Sequence, residues 1–223
     1  LKTIGGAAGV AALGVPRIFA AAEPASKAVA LQRRPLGHTG MNVSVVGFPG
    51  LVLTKHDQEK CTAALHGAFD RGVNFFDVAP AYGSGDAETK MGIGLQGLDR
   101  DKYYLACKTK KRDKAGAQME LERSLQRLKT DYFDLYQLHH LVRPAEVTDA
   151  CGAEGAMEVA LKAKQEGKIK FIGFSAHTTK GALAALKAFK FDTVMFPINF
   201  VEYYLRDFGK QVLALAEESG AGV

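Results

Sequence analysis

The sequence predicts an α/β fold: a (β/α)8 barrel with an N-terminal β-hairpin, truncated after about six strand–helix units. Three observations carry this. Short apolar runs alternate with segments of helical periodicity, the pattern of parallel strands joined by helical crossovers. The first strand–helix turn, Phe48-Pro49-Gly50-Leu51-Val52, lacks the G-x-G-x-x-G of an open dinucleotide-binding sheet. Chemically capable residues recur at the C-terminal ends of successive strands, namely Asp77, Lys108, His139 and Ser175. A barrel gathers such ends around one mouth, whereas an open sheet spreads them along an edge.

The elements follow in order. Leu31 to Leu36 and Met41 to Val46 flank Gly37-His38-Thr39-Gly40, two short strands around a Gly-bounded turn. Val45 to Phe48 continues as a buried strand. Residues 57–71 carry apolar side chains at helical spacing, with Asp57 as N-cap and Gly72 as terminator. Val73 to Val78 is a strand and Asp86 to Leu95 a helix. Tyr103 to Cys107 is a strand, followed by a helix from Lys114 to Leu128 whose apolar positions are Met119, Leu121, Leu125 and Leu128. Tyr132 to His139, Ile169 to Phe174 and Thr193 to Phe196 are strands. Ala153 to Gln165, Thr179 to Phe189 and Asp207 to Ser219 are helices, and Ala221 begins a seventh strand.

Composition narrows the function class. The chain has 47% hydrophobic and 24% charged residues, an ordinary globular balance. Its net charge of +5 is scattered, without a long run of like charge, so a nucleic-acid partner is not expected. The densest basic patch, Lys108 to Lys114, reads as a solvated loop and helix start, with anion binding as the alternative. Cys61, Cys107 and Cys151 are widely spaced and odd in number, which argues against a disulfide framework and a structural zinc site. Cys61 and Cys107 read as small core residues.

Residues 1–30 read as an export-signal-like leader and linker, and residues 31–223 as the barrel domain. The leader is small, apolar and free of acids over residues 1–22, with Ala20-Ala21-Ala22 fitting a signal-peptidase site. Its glycine-rich apolar run is too short to span a bilayer. It resembles the tail of a twin-arginine signal, which implies an exported, periplasmic protein, with the cytoplasm as the alternative location. No membrane partner is expected beyond that signal.

The strongest chemical signal is Phe75 to Gly85, FFDVAPAYGSG: a buried strand breaking into a Pro/Gly-rich loop that carries Asp77 and Tyr82. A phenol has a reference pKa near ~10, too high for efficient proton donation at neutral pH. A neighbouring ammonium lowers it, and an acid paired with that ammonium holds the cation in place. A histidine can orient a carbonyl oxygen. Asp77, Tyr82, Lys108 and His139 therefore compose an acid site for carbonyl reduction, with hydride supplied by a nicotinamide cofactor because side chains cannot supply it. Two choices stay open at this level. Lys110 rivals Lys108, which only the buried YYLAC run singles out. His139 and His140 point to opposite faces of a strand, and periodicity does not choose between them. Three histidines near the mouth lack ligand spacing, so no metal is expected.

The stretches RPLGHTGMNVSVVGF, GVNFFDVAPAYGSGDAETKMG, LACKTK, LKTDYFDLYQLHH and GKIKFIGFS together resemble the aldo-keto reductases over about residues 33–200. The resemblance implies a (β/α)8 barrel with a hairpin across its bottom. It implies an NAD(P)H-dependent reductase of small aldehydes or ketones, using NADPH with NADH as the alternative. Asp77, Tyr82, Lys108 and His139 match its catalytic tetrad, with Tyr82 as general acid, Lys108 and Asp77 as the pair that lowers the phenol's pKa, and His139 as carbonyl orienter. The D-L-Y-x-x-H motif selects His139. Contacts to the nicotinamide fall to Ser175, Asp77 and the Met195 position. Two departures stand out: the family's usual Asn after the serine is Ala176, and its usual Gln falls at Met195. His177 reads as a loop residue, with filling the space left by the Asn as the alternative. These departures support an alternative function, a cofactor-binding or sensing barrel with little turnover.

Overall fold

A computed structural model describes residues 31–223 of the chain. Six parallel strands lie in the order of the sequence: β3 (Phe48–Pro49), β4 (Phe75–Asp77), β5 (Tyr104–Thr109), β6 (Phe133–Leu141), β7 (Ile169–Ala176) and β8 (Thr193–Met195). Sequential neighbours in a parallel sheet, each joined by a helix, are the winding of a barrel wall. A separate antiparallel hairpin pairs β1 (Arg33–Pro35) with β2 (Asn42–Ser44). Gly222 makes an isolated parallel bridge to Thr193, next to Ala221, where a seventh strand is expected to begin.

The helices are α1 (Gln58–Asp70), α2 (Asp86–Gly94), α3 (Lys114–Leu128), α4 (Pro144–Cys151), α5 (Ala156–Gln165), α6 (Thr179–Ala188), α7 (Phe200–Arg206) and α8 (Lys210–Ser219). Their starts are written in the chain. Asp57 accepts from the Lys60 amide at 2.9 Å, Asp113 from Gly116 at 2.7 Å and Thr178 from Gly181 at 3.0 Å, each satisfying an otherwise orphan N–H of a first turn. The main core lies between the outer face of the strands and the helices, and includes the expected Cys61 and Cys107. Inside the wall, Met41 packs with Ala106 and Leu135, backed by Leu36, Val43 and Phe75, so the hairpin closes the bottom of the barrel. His38, at the hairpin tip, reaches the carbonyl of Gly220 at 2.6 Å and Asp192 at 3.0 Å, which ties the cover to the wall.

Several expectations are corrected. Val45 and Val46 are exposed and bent rather than buried strand, because the chain must turn there from the hairpin into the short β3. Met119 faces solvent; the buried residues of α3 are Ala117, Glu120, Leu121, Ser124 and Leu128, a stripe that Met119 does not share. The helix expected from Ala153 starts at Ala156 and is preceded by α4. The helix expected from Asp207 is α8, preceded by α7; Asp207 ends α7 in a left-handed conformation (φ 53°), so no continuous helix can pass through it. The Gly50–Lys55 segment after β3 forms a 3-10 turn that the pattern did not announce. The leader and linker expected over residues 1–30 lie outside the described residues.

One close approach makes a testable claim about the wall. Gly173 of β7 sits opposite Thr193 of β8, and a Cβ on it would lie 2.1 Å from the Thr193 hydroxyl and 2.9 Å from its carbonyl oxygen. Gly173→Ala is expected to destabilise the fold by about 1–3 kcal/mol through overpacking, read as a fall in the urea midpoint at unchanged m-value.

Candidate active site

The wall register selects the site. Alternate residues of each strand point inward, and the pairings Asp77–Ala106, Lys108–Gln137, Gly173–Thr193 and Ser175–Met195 keep the strands in step. Asp77, Lys108, Gln137, His139, Ser175 and Met195 therefore share the inward face near the C-terminal ends. All four residues expected to form the acid site converge there.

Lys108 is fully buried, whereas its rival Lys110 is exposed. The Lys108 ammonium donates to both carboxylate oxygens of Asp77, and more weakly to the Val78 carbonyl at 3.4 Å and the Tyr82 hydroxyl at 3.5 Å. Gln137 adds an amide contact to Asp77 Oδ1 at 3.5 Å. Burial pushes the Asp77 carboxyl above its ordinary value, and Lys108 offsets part of that. Tyr82 opens the turn that follows β4. Gly83 (φ 61°) and Gly85 (φ 97°) take left-handed conformations there, and a Cβ on Gly85 would strike Arg127. The two glycines thus suit the path of this loop, in which Ser84 is also left-handed (φ 53°).

His139 is 6% exposed and stands edge-on to Tyr82, ring centres 5.6 Å apart at 90°. Its Nδ1 is buried without a partner. Burial and the positive charge of Lys108 lower its pKa to about 3, so the ring is neutral at physiological pH. His140 is exposed and carries a positive φ of 64°. It is the extra residue of a bulge, since Leu138 pairs with Phe174 but Leu141 with Ala176. The two histidines therefore do not simply alternate, and His139 keeps the parity of Gln137.

Ser175, Ala176, His177 and Met195 line the same cavity as Tyr82, Lys108 and His139. The Ser175 hydroxyl accepts from the His140 amide at 2.8 Å. Its own O–H has no acceptor among the described residues, which leaves it free for a bound group. Ala176 is buried, Met195 contributes a thioether, and the His177 ring lies 4.5 Å from that of His140, tilted by 43°. The Ser175 hydroxyl is thus a polar group set among Ala176, Met195, Phe196 and Pro197 in the cavity lining. Sequence reasoning missed Gln137 and the cavity residues Phe196 and Pro197; counting inward parity back from His139 finds Gln137. Among the described residues, no cluster of three or more metal-ligating side chains occurs, and no helix is long and apolar enough to cross a membrane.

The neutral His139 has a consequence for stability. An unfolded histidine takes up its proton near 6.5, the folded one only near 3. Between those values the unfolded chain binds more protons, so folding stability falls as pH is lowered through that window. His139→Gln is expected to flatten this part of the pH dependence in urea unfolding; an unchanged slope contradicts the assignment.

The chain matches the model of the Aldo/keto reductase family over residues 47–223. L-galactose dehydrogenase of Arabidopsis thaliana is 35% identical over 158 residues, covering 65% of this chain and 48% of that protein. 6-Dehydroglucose reductase of Novosphingobium aromaticivorans is 32% identical over 176 residues, covering 70% and 55%. The structure of an aldo/keto reductase from Klebsiella pneumoniae in complex with NADP and acetate superposes with a TM-score of 0.66 at 25% identity, covering 86% of this chain and 66% of that one. The chain spans about half the length of the curated relatives it matches.

Proposed function

This chain belongs to the aldo/keto reductase family, and we propose that it reduces a small aldehyde or ketone with a nicotinamide cofactor, NADPH first and NADH as the alternative. The observation that carries the reading is the buried Lys108 ammonium, paired with Asp77 and 3.5 Å from the Tyr82 hydroxyl. Tyr82 donates its proton to the carbonyl oxygen. Lys108 stabilises the phenolate left behind, and Asp77 keeps Lys108 charged and aimed. His139 is neutral, and its Nδ1 has no acceptor, so the ring proton belongs on Nε2, where it can orient the carbonyl oxygen. Ser175, Asp77 and Met195 would hold the nicotinamide, and His177 would stand in for the missing Asn. Bound there, the cofactor supplies the hydride that side chains cannot. The NADP bound to the Klebsiella relative supports NADPH as the first cofactor to test.

A second reading rests on Ala176 and Met195, which withhold two amide contacts: a barrel that binds or senses the cofactor with little turnover. Titrating the full-length protein with NADPH, then with a panel of aldehydes, ketones and sugars, separates the two. Turnover is the expected result, and the sugar names of two relatives justify that arm of the panel. Saturable NADPH binding with no turnover supports the second reading; no binding removes both. For residues 1–30 we propose a leader and linker that directs the barrel to the periplasm by the twin-arginine route, with the cytoplasm as the alternative. The expected finding is an arginine pair just upstream of Leu1, and its absence removes the export reading.

A further inference from the structure

We propose that Arg112 is a positioning residue, which holds the β6 bulge so that His139 faces Tyr82; this rests on the role given to His139 above. The bulge needs holding. An extra residue in a strand takes backbone groups out of the ladder, and buried carbonyls and amides need partners. Here each one is found. The His140 amide donates to Ser175 Oγ at 2.8 Å, and the Leu141 carbonyl accepts from the His177 amide at 3.1 Å. The two carbonyls between them belong to Arg112, whose Nη2 donates to His139 O at 2.8 Å and His140 O at 3.4 Å. His140 meanwhile stays in a left-handed conformation, which a non-glycine residue keeps only where its surroundings hold it.

Arg112 is itself firmly placed. Its carbonyl accepts from the Ala156 amide at 2.8 Å, the next residue bridges Gly155, and Lys114 N donates to Glu154 O at 2.9 Å. The segment between β5 and α3 is thus tied to the start of α5. No acid bridges the guanidinium, and its Nε and Nη1 are buried without partners among the described residues. Its only hydrogen bonds there are those to the bulge. Loss of the clamp lets the extra residue migrate along β6, and a one-residue slip turns the His139 ring to the other face.

The test uses the full-length protein with NADPH and a carbonyl substrate that it turns over. Arg112→Ala is expected to lower kcat by about 100-fold, the scale for a misplaced reacting group, with KM little changed and partial rescue by added methylguanidinium. Arg112→Lys, a cation without the fork, is expected to fall between; it carries the test if the alanine variant does not fold. Nitrogen-15 spectra of the histidine rings supply a second readout: His139 is expected as a single tautomer in the wild type and as averaged, broadened signals in the variant. An undiminished kcat or an unchanged His139 spectrum overturns the proposal. The ring spectra need no turnover, so a protein that reduces no carbonyl removes the reaction proposed above and leaves the placement of His139 readable.

Discussion

Tyr82→Phe in the full-length protein is expected to lower carbonyl reduction by roughly 1,000-fold, within the range of a positioned proton donor, while NADPH binding survives. The substitution removes one oxygen and keeps the ring. The edge-on packing against His139 and the cation over the ring, with Lys108 Nζ 5.3 Å from its centre, both persist. Lys108 keeps its pairing with Asp77, so no buried charge is stranded. The variant therefore isolates the proton. Rates fall because no other group can give up a proton with the Lys108 ammonium beside it: Lys108 donates to the Tyr82 hydroxyl and not to Ser175, and the neutral His139 uses its Nε2–H to orient the carbonyl oxygen. Fluorescence titration with NADPH, followed by single-turnover reduction of an aldehyde, reads both halves. Undiminished turnover sinks the role given to Tyr82, and loss of cofactor binding shows that the hydroxyl acts elsewhere.

Much of this arrangement is legible in the chain because it is local. The strand–helix alternation is a matter of period, and the caps Asp57 and Asp113 lie next to the turns they satisfy. Asp77 and Tyr82 stand within five residues of each other on one strand-to-loop break. Lys108 is marked by the apolar run before it, which the structure buries from Leu105 to Cys107. What periodicity misses depends on partners far away in sequence. The choice between His139 and His140 turns on a bulge, and that bulge is held by Arg112 and Ser175, 27 and 35 residues distant. Gln137 shares the inward face of His139, yet only the β5–β6 register places it beside Lys108. Met119 fails for a related reason: an apolar residue at helical spacing says nothing about which stripe the wall will cover. The basic patch from Lys108 to Lys114 dissolves on inspection into four jobs. One lysine is buried in the site, Arg112 clamps the bulge, Asp113 caps α3, and Lys114 pairs with Glu158 at 2.6 Å.

Lys108→Met tests the pair that joins fold to chemistry. Both charges are withdrawn from water, with the Lys108 side chain 1% and the Asp77 side chain 14% exposed. Deleting one partner of such a pair leaves the other uncompensated, a loss of about 3–5 kcal/mol; among the described residues, only the 3.5 Å contact from Gln137 would then face the carboxylate. Burial already raises the Asp77 pKa, and removing the ammonium raises it further. A carboxyl raised in the folded state binds its proton before the unfolded one does, so stability drops as pH rises through that interval. The variant should accordingly be weakest at neutral pH and recover towards acid pH. Adding Asp77→Asn discharges the remaining charge, and the double variant should regain most of the wild-type urea midpoint with a flat pH profile. Turnover should return in neither, because the phenolate of Tyr82 has lost its cation in both. Stability and activity thus separate across one double-mutant cycle. A single variant as stable as the wild type removes the buried pair from the account of the fold. A double variant that still turns over removes Lys108 from the chemistry and leaves Tyr82 to work without it.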